Sequence, residues 1–253
     1  MKMNLNFSPK VRVKNSILFL NETPFVSHEI IKLIGSGVNG VVFLAKNKFL
    51  NREEAVKVWV KLKPIDKRDK LKQGILEAQK MAAANKIYAV QIYFLTVIED
   101  MPVATMEYIP GVNLKHFFLN ECKGIPTPLS KKELIFEIAR LYLNAIDATS
   151  TDNSLHGDPH LSNVLIFVDE RGDARIKLCD FGTSVFARKN FSAERHWRIV
   201  ETCILEMTKT FKYFNFAKGK LAQFKKMLSG PMPQNIVGPL QDYLQCIEME
   251  FFE

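Results

Sequence analysis

Leu155-His156-Gly157-Asp158-Pro159-His160-Leu161-Ser162-Asn163-Val164-Leu165, followed by Asp180-Phe181-Gly182, is the stretch on which the reading of this 253-residue chain turns. Read as H-G-D-x-x-x-x-N and D-F-G, it gathers three groups that phosphoryl transfer needs at one point. Asp158 can orient an attacking hydroxyl and accept its proton, while Asn163 and Asp180 can hold metal against nucleotide phosphates. The spacing suits a single place in space. Asp158 and Asn163 share a loop, and the apolar run Val164 to Val168 leaves it as a strand. Asp169-Glu170-Arg171-Gly172-Asp173 then turns the chain, and a second strand, Ala174 to Leu178, returns Asp180 to the loop. Either short string alone is equally well explained by surface turns, which favour Asp and Asn. Both in this order, joined by a hairpin, are not.

Working outward toward the N-terminus, Gly35-Ser36-Gly37-Val38-Asn39-Gly40 lies between the strand-like runs Ile30 to Ile34 and Val41 to Ala45. That setting predicts a hairpin lid over phosphates, not the strand-to-helix turn of a dinucleotide fold. Gly35, Gly37 and Gly40 would let backbone amides approach phosphate oxygens, and Val42 would point onto an adenine ring. Ala55 to Val60 reads as a strand with one lysine, Lys57, in an apolar setting. An unpaired buried ammonium is costly, so Lys57 needs anionic partners. Bound α/β-phosphates would serve, together with Glu77, the only acid after the first turn of a helix predicted over residues 69–84. Trp59 reads as core. Gln91 to Ile98 and Val103 to Tyr108 read as strands around a turn at Glu99-Asp100-Met101-Pro102. Met106 to Leu114 then reads as a hinge between a sheet lobe and a helical lobe. It offers backbone groups of Glu107 and Ile109 to the adenine edge and Asn113 to a ribose hydroxyl.

Toward the C-terminus, Ser130 with Glu133 marks a capping box, and Leu134, Ile135, Ile138, Leu141, Tyr142, Ala145 and Ile146 follow with helical periodicity. Residues 195–207 give another apolar helix pattern, and Pro239 opens a last helix after the breaker Ser229-Gly230-Pro231-Met232-Pro233. Residues 1–27 read as an extended or strand-like lead-in.

Composition limits the alternatives. With 47% hydrophobic and 25% charged residues the chain suits one domain or two small lobes sharing a cleft. No apolar run reaches a membrane span, and Ile17 to Leu20 is too short for the core of a secretory signal. Cys122, Cys179, Cys203 and Cys246 are scattered without metal spacing, which suggests reduced thiols in a cytosol. The net charge of +8 raises nucleic acid as a partner, but the cluster Lys61 to Lys72 has no interleaved aromatics. The cluster Lys209 to Lys226, interleaved with Phe211, Tyr213, Phe214, Phe216 and Phe224, reads better as an amphipathic helix than as a partner surface.

On these motifs the chain resembles the eukaryotic-type protein kinase superfamily from about residue 28 to 210. The resemblance implies an α+β, two-lobed kinase-like fold. Its parts would be an N-terminal lead-in (1–27), a small lobe of antiparallel sheet plus one helix (28–108), and a reduced helical large lobe (109–253). It implies ATP with Mg²⁺, Asp158 as catalytic base, Asn163 and Asp180 as metal ligands, and Lys57, paired with Glu77, as phosphate anchor. The departures refine this. Gly157 stands where the family has arginine, and His160 stands where its catalytic loop has lysine. Only about a dozen residues separate Gly182 from the Trp197 helix, with no A-P-E segment.

That truncated pattern resembles the minimal bacterial effector kinases of the OspG type. It implies a Ser/Thr protein kinase acting on a protein substrate, cytoplasmic or secreted into a host cell, and active without activation-loop phosphorylation. An activating partner, such as a host ubiquitin-conjugating enzyme or ubiquitin, is part of the same implication; a nucleic-acid partner is not. The string H-G-D-x-H-x-x-N also resembles small-molecule phosphotransferases of the aminoglycoside and choline kinase kind and sugar kinases. A nucleotide-binding scaffold without catalysis is the third reading.

Overall fold

Alternating apolar residues in the first sixty positions, joined by those of residues 92–107, build two antiparallel sheets. The computed structural model of the chain describes residues 2–8, 10–37, 40–60, 69–120, 122–123, 125, 129–150, 155–181, 189–209 and 236–252. The chain divides into two units, Met1–Lys86 with Val90–Ile109, and Ile87–Ala89 with Pro110–Glu253.

In the first unit, β1 (Leu5–Ser8), β2 (Val11–Lys14), β3 (Ile17–Leu20) and β4 (Thr23–Phe25) form an antiparallel meander in sequence order. The lead-in is therefore a complete sheet. Asn15 and Ser16, both with positive φ (52° and 65°), make the tight turn between β2 and β3 that matches strand twist. A second sheet has the order β5-β6-β7-β9-β8, from β5 (His28–Gly37), β6 (Gly40–Asn47), β7 (Arg52–Val58), β8 (Ile92–Ile98) and β9 (Met101–Glu107). The turn between β8 and β9 is shorter than the four residues expected. Glu99 and Asp100 complete it with φ of 50° and 61°, and Met101 and Pro102 already belong to the strand.

Side-chain alternation gives the second sheet two different faces. Val56, Val58 and Val60 point to one side with Val41, Phe43, Ala45, Met101 and Val103. They form one core with Val11, Val13, Leu18, Leu20 and Phe25 of the meander. The Ile30 amide donates to the Ser16 carbonyl (2.8 Å), joining the sheets. Lys57 and Trp59 point to the other side, where α1 (Lys70–Ala83) packs. Asp69 caps α1 by accepting the Lys72 amide (3.1 Å). Gly74 permits the close approach: a Cβ there would lie 2.7 Å from Pro102 and 2.9 Å from the Trp59 ring. At the far end of the sheet Glu54 is buried. Burial alone would raise its pKa, but hydrogen bonds from His28 (3.0 Å), Arg52 (2.7 Å) and Asn47 (3.1 Å) hold it below the ordinary carboxylate value.

The second unit is mainly helical: α2 (Leu114–Leu119), α3 (Lys131–Thr149), α4 (Lys189–Met207) and α5 (Val237–Phe252). A small sheet, β10 (Val112–Asn113), β11 (Val164–Val168) and β12 (Ala174–Leu178), lies among them. The Ser130–Glu133 capping box forms in both directions, at 3.3 and 2.7 Å. From it α3 buries Leu134, Ile135, Ile138, Tyr142, Ala145 and Ile146. Arg140 pairs with Glu248, linking α3 to α5. The β11–β12 hairpin has the limits expected, with Asp169 Oδ1 accepting the Arg171 and Asp173 amides (2.9 and 3.0 Å) inside its turn.

Val38 and Asn39, residues 61–68, Gly182 and residues 210–235 lie outside the described residues. They include most of both basic clusters and the breaker before the last helix. Among the described residues no helix is long and apolar enough to cross a membrane.

Candidate active site

In the first unit the register of the sheet places Val42 opposite both Gly35 and Lys57, so a strand of the glycine hairpin lies beside the lysine strand. Gly37 pairs with Gly40 at the hairpin's end. Lys57 Nζ donates to Glu77 Oε1, and both side chains are buried, Glu77 completely. Two buried charges are stable only when paired and further hydrogen-bonded. Trp59 contributes to that. Its indole Nε1 donates to Glu77 Oε2 (2.8 Å), and Lys57 Nζ lies 4.8 Å from the centroid of the same ring. Sequence reading placed Trp59 in the core, where it is fully buried, but missed this second task.

The hinge residues divide between the units. Glu107 donates its amide to the Gln91 carbonyl (2.8 Å), and its Oε2 accepts the Gln91 amide (3.2 Å). Of the backbone groups expected at Glu107, the amide is therefore engaged in the sheet. Ile109 is buried at the end of the unit. Asn113, expected at a ribose hydroxyl, gives its side-chain oxygen to the His116 amide (2.8 Å), as the N-cap of α2.

In the second unit the structure brings Asp158, Asn163 and Asp180 to one end of the β11–β12 hairpin. Val164 pairs with Leu178, which sets Asn163 beside Cys179, whose amide donates to the Asn163 carbonyl (2.9 Å). A 3₁₀ turn, Leu161–Asn163, returns the chain so that Asn163 Nδ2 donates to the Asp158 carbonyl (3.0 Å). Asp180 adopts a left-handed conformation (φ 67°), tolerated by Asp and common where a functional side chain is re-aimed. Asn163 Oδ1 and the Asp180 carboxylate form an all-oxygen, hard donor pair on neighbouring backbone. That chemistry suits Mg²⁺ better than a softer metal.

The loop rests on a buried polar frame. His156 Nε2 donates to the Cys179 carbonyl (2.9 Å), its Nδ1 accepts the Asp158 amide (3.3 Å), and its ring stacks on Phe181 at 4.2 Å. Burial pushes this imidazole down to about 4, although the Cys179 carbonyl and the nearby Asp180 and Asp158 carboxylates act the other way. His196 on α4 accepts the Gly157 amide at Nδ1 (3.2 Å), and its Nε2 faces Ser150 Oγ (3.4 Å). Burial, reinforced by His156, holds His196 down at about 3. Gly157 has φ 84°, so a side chain would be strained there, which gives a backbone reason for glycine where arginine was expected. Tyr142 Oη donates to the Pro159 carbonyl (2.7 Å), and Cys203, its thiol pushed up to about 12 by burial, lies against the same oxygen.

Two further residues approach Asp158. Arg195 Nη2 donates to Oδ1 (3.1 Å), and His160 Nε2 is 3.7 Å from Oδ2. Neither His196 nor Arg195 was singled out from the sequence. Their only signal was a pair of polar residues, Arg195-His196, entering an apolar helix.

The first unit holds a formed lysine–glutamate pair and the second an Asp–Asn–Asp cluster, residue types that phosphoryl transfer uses. Comparison with known proteins narrows the reading. The protein kinase domain model matches residues 28–209. The chain is 30% identical over 155 residues to the serine/threonine-protein kinase PrkC of Bacillus subtilis, covering 61% of this chain and 22% of that protein. It is 30% identical over 162 residues to human Rho-associated protein kinase 1, covering 64% of this chain and 11% of that protein. The chain thus spans a fifth or less of the length of most such relatives, as with the 17% covered of protein kinase 3 from Dictyostelium discoideum. Among solved structures, the kinase domain of Mycobacterium tuberculosis PknI superposes with a TM-score of 0.58 at 14% identity, over 90% of this chain and 98% of that one. This chain belongs to the protein kinase domain family.

Proposed function

We propose that the protein is a Ser/Thr protein kinase that transfers the γ-phosphoryl group of ATP to a protein hydroxyl. The observation that carries the reading is the cluster at one end of the β11–β12 hairpin, where Asn163 Nδ2 donates to the Asp158 carbonyl and the amide of Cys179, next to Asp180, donates to the Asn163 carbonyl. In this reading Asp158 orients the acceptor hydroxyl and takes its proton. Asn163 and Asp180 hold Mg²⁺, which when bound supplies positive charge to the phosphates. Lys57, aligned by Glu77, engages the nucleotide phosphates from the first unit. Gly35, Gly37 and Gly40 offer backbone amides to them, while Val42, Glu107 and Ile109 face the base. The protein kinases similar to the chain, a serine/threonine-protein kinase among them, support a protein acceptor.

The finer reading is a minimal effector kinase, cytoplasmic or delivered into a host cell and active without loop phosphorylation. The Lys57–Glu77 pair, closed in the chain by itself, supports activity without a phosphorylated loop. An activating partner of the ubiquitin-conjugating type rests on the OspG-type resemblance alone. A small-molecule kinase is the second reading, favoured by His160 beside Asp158. Gly157 no longer favours it, because the glycine has a backbone reason independent of substrate.

Transfer of labelled γ-phosphate from Mg-ATP is the test, run with the chain alone, with a generic protein acceptor and with eukaryotic lysate. Asp158→Ala is expected to abolish transfer while nucleotide affinity stays near wild type; Asp180→Ala is expected to lose Mg²⁺-dependent ATP binding. Full turnover by Asp158→Ala would overturn the assignment. ATP consumption without labelled protein would support the small-molecule reading. Loss of activity on phosphatase treatment would contradict independence from phosphorylation.

A further inference from the structure

The Asp158 side chain is only 12% exposed, and its two oxygens have different neighbours. Arg195 occupies Oδ1 at 3.1 Å, whereas among the described residues Oδ2 has only the longer approach of His160 at 3.7 Å. The placement of Arg195 follows from anchoring and not from chance surface pairing. The next residue, His196, takes the Gly157 amide, and Trp197, Val200 and Ile204 are buried behind it. Helix α4 and the Asp158 loop are thus tied at two consecutive residues on each side: Arg195 to Asp158 and His196 to Gly157. The Arg195 side chain is 47% exposed, and among the described residues Asp158 is the one acceptor it meets. Most of its five N–H donors therefore remain for a ligand.

We propose that Arg195 is a further cation of the transfer step, in addition to Lys57 and Mg²⁺. It fixes Asp158 through Oδ1, leaves Oδ2 to the acceptor hydroxyl, and presents its other N–H groups to the oxygens of the phosphoryl group in transit. The inference rests on the reading of Asp158 as the group that orients the acceptor. In the step, the acceptor oxygen bonds to the γ-phosphorus. The bond from that phosphorus to the β–γ bridging oxygen breaks with its electron pair staying on ADP, and the hydroxyl proton passes to Asp158. The guanidinium neither gains nor loses a proton. A planar fork of constant charge matches phosphoryl oxygens.

The test compares wild type, Arg195→Lys and Arg195→Ala in labelled transfer from Mg-ATP to dephosphorylated casein, with ATP affinity and thermal unfolding measured on the same preparations. Arg195→Ala is expected to lower kcat by about 100-fold or more, the scale of a lost transition-state donor, with ATP affinity and unfolding temperature near wild type. Added methylguanidinium is expected to restore part of that rate and to leave wild type unchanged, a response that a packing role would not give. Arg195→Lys keeps the charge without the fork and is expected to fall about tenfold. Wild-type turnover in Arg195→Ala overturns the assignment, and turnover above wild type recasts Arg195 as a latch on Asp158. Should the alanine variant not fold, an unchanged kcat in Arg195→Lys overturns it as well. No transfer by wild type would overturn the kinase reading and this assignment with it; transfer by wild type that is indifferent to Arg195 would overturn only the latter.

Discussion

A buried ammonium and a buried carboxylate are each too costly to hold alone, and Lys57 and Glu77 solve the problem with a third side chain. Trp59 donates to the carboxylate and lays its ring near the ammonium, so it restrains both ends of the pair. Trp59→Phe keeps most of the packing and removes one donor from a fully buried oxygen. It should cost about 1–3 kcal/mol, read by denaturant unfolding, and should raise KM for ATP severalfold more than it lowers kcat. Equal KM in both proteins would leave Trp59 as packing alone. The pair itself was legible in the sequence, because Lys57 needed an anion and Glu77 was the only acid after the first turn of its helix. The indole's donation was not, since it depends on a rotamer and on Gly74 letting α1 approach. The capping role of Asn113 was not read from the sequence either: its side-chain oxygen meets the local demand of the start of α2.

Among the elements, the β11–β12 hairpin was readable to its limits, because period-two alternation and an Asp-rich turn specify it locally. The contact between α4 and the Asp158 loop was not, because it joins residues 39 positions apart through an uncharged imidazole. That contact makes a pH prediction. Burial holds His196 at about 3 and His156 at about 4, against an ordinary value of 6.5. Each folded value is depressed, so the unfolded chain binds more protons between these limits. Their contribution to stability is full above about pH 6.5 and is lost as pH falls toward 3 to 4. Protonation would also place a hydrogen on His196 Nδ1, facing the Gly157 amide it now accepts. Urea midpoints measured from pH 8 to pH 4 should fall steadily below 6.5, and His196→Gln, which cannot titrate there, should flatten that fall. A midpoint independent of pH over this range would contradict the buried neutral state.

For the chain as a whole, each unit has its own core, and the first draws its core from two sheets. Removing residues 1–27 would uncover Val41, Phe43, Val56, Val58 and Val103, which are completely buried against the meander. At about 1.5–3 kcal/mol for each large apolar side chain exposed, such a loss exceeds what a domain of this size ordinarily holds in reserve. The truncated chain should bind a hydrophobic dye and unfold without a cooperative transition; a wild-type melting curve would show that the second sheet stands alone. The two-lobe plan was legible because its motifs occur in kinase order along the chain. The meander was legible only as strand-like, since nothing in the first 27 residues announces which surface they cover. Similarity to the family begins at residue 28, but five of the fourteen buried members of the sandwich core precede it. The line where homology starts and the line where folding starts are therefore different. A recombinant fragment trimmed to the recognisable domain would carry every motif of the family and lack the layer that keeps its sheet out of water.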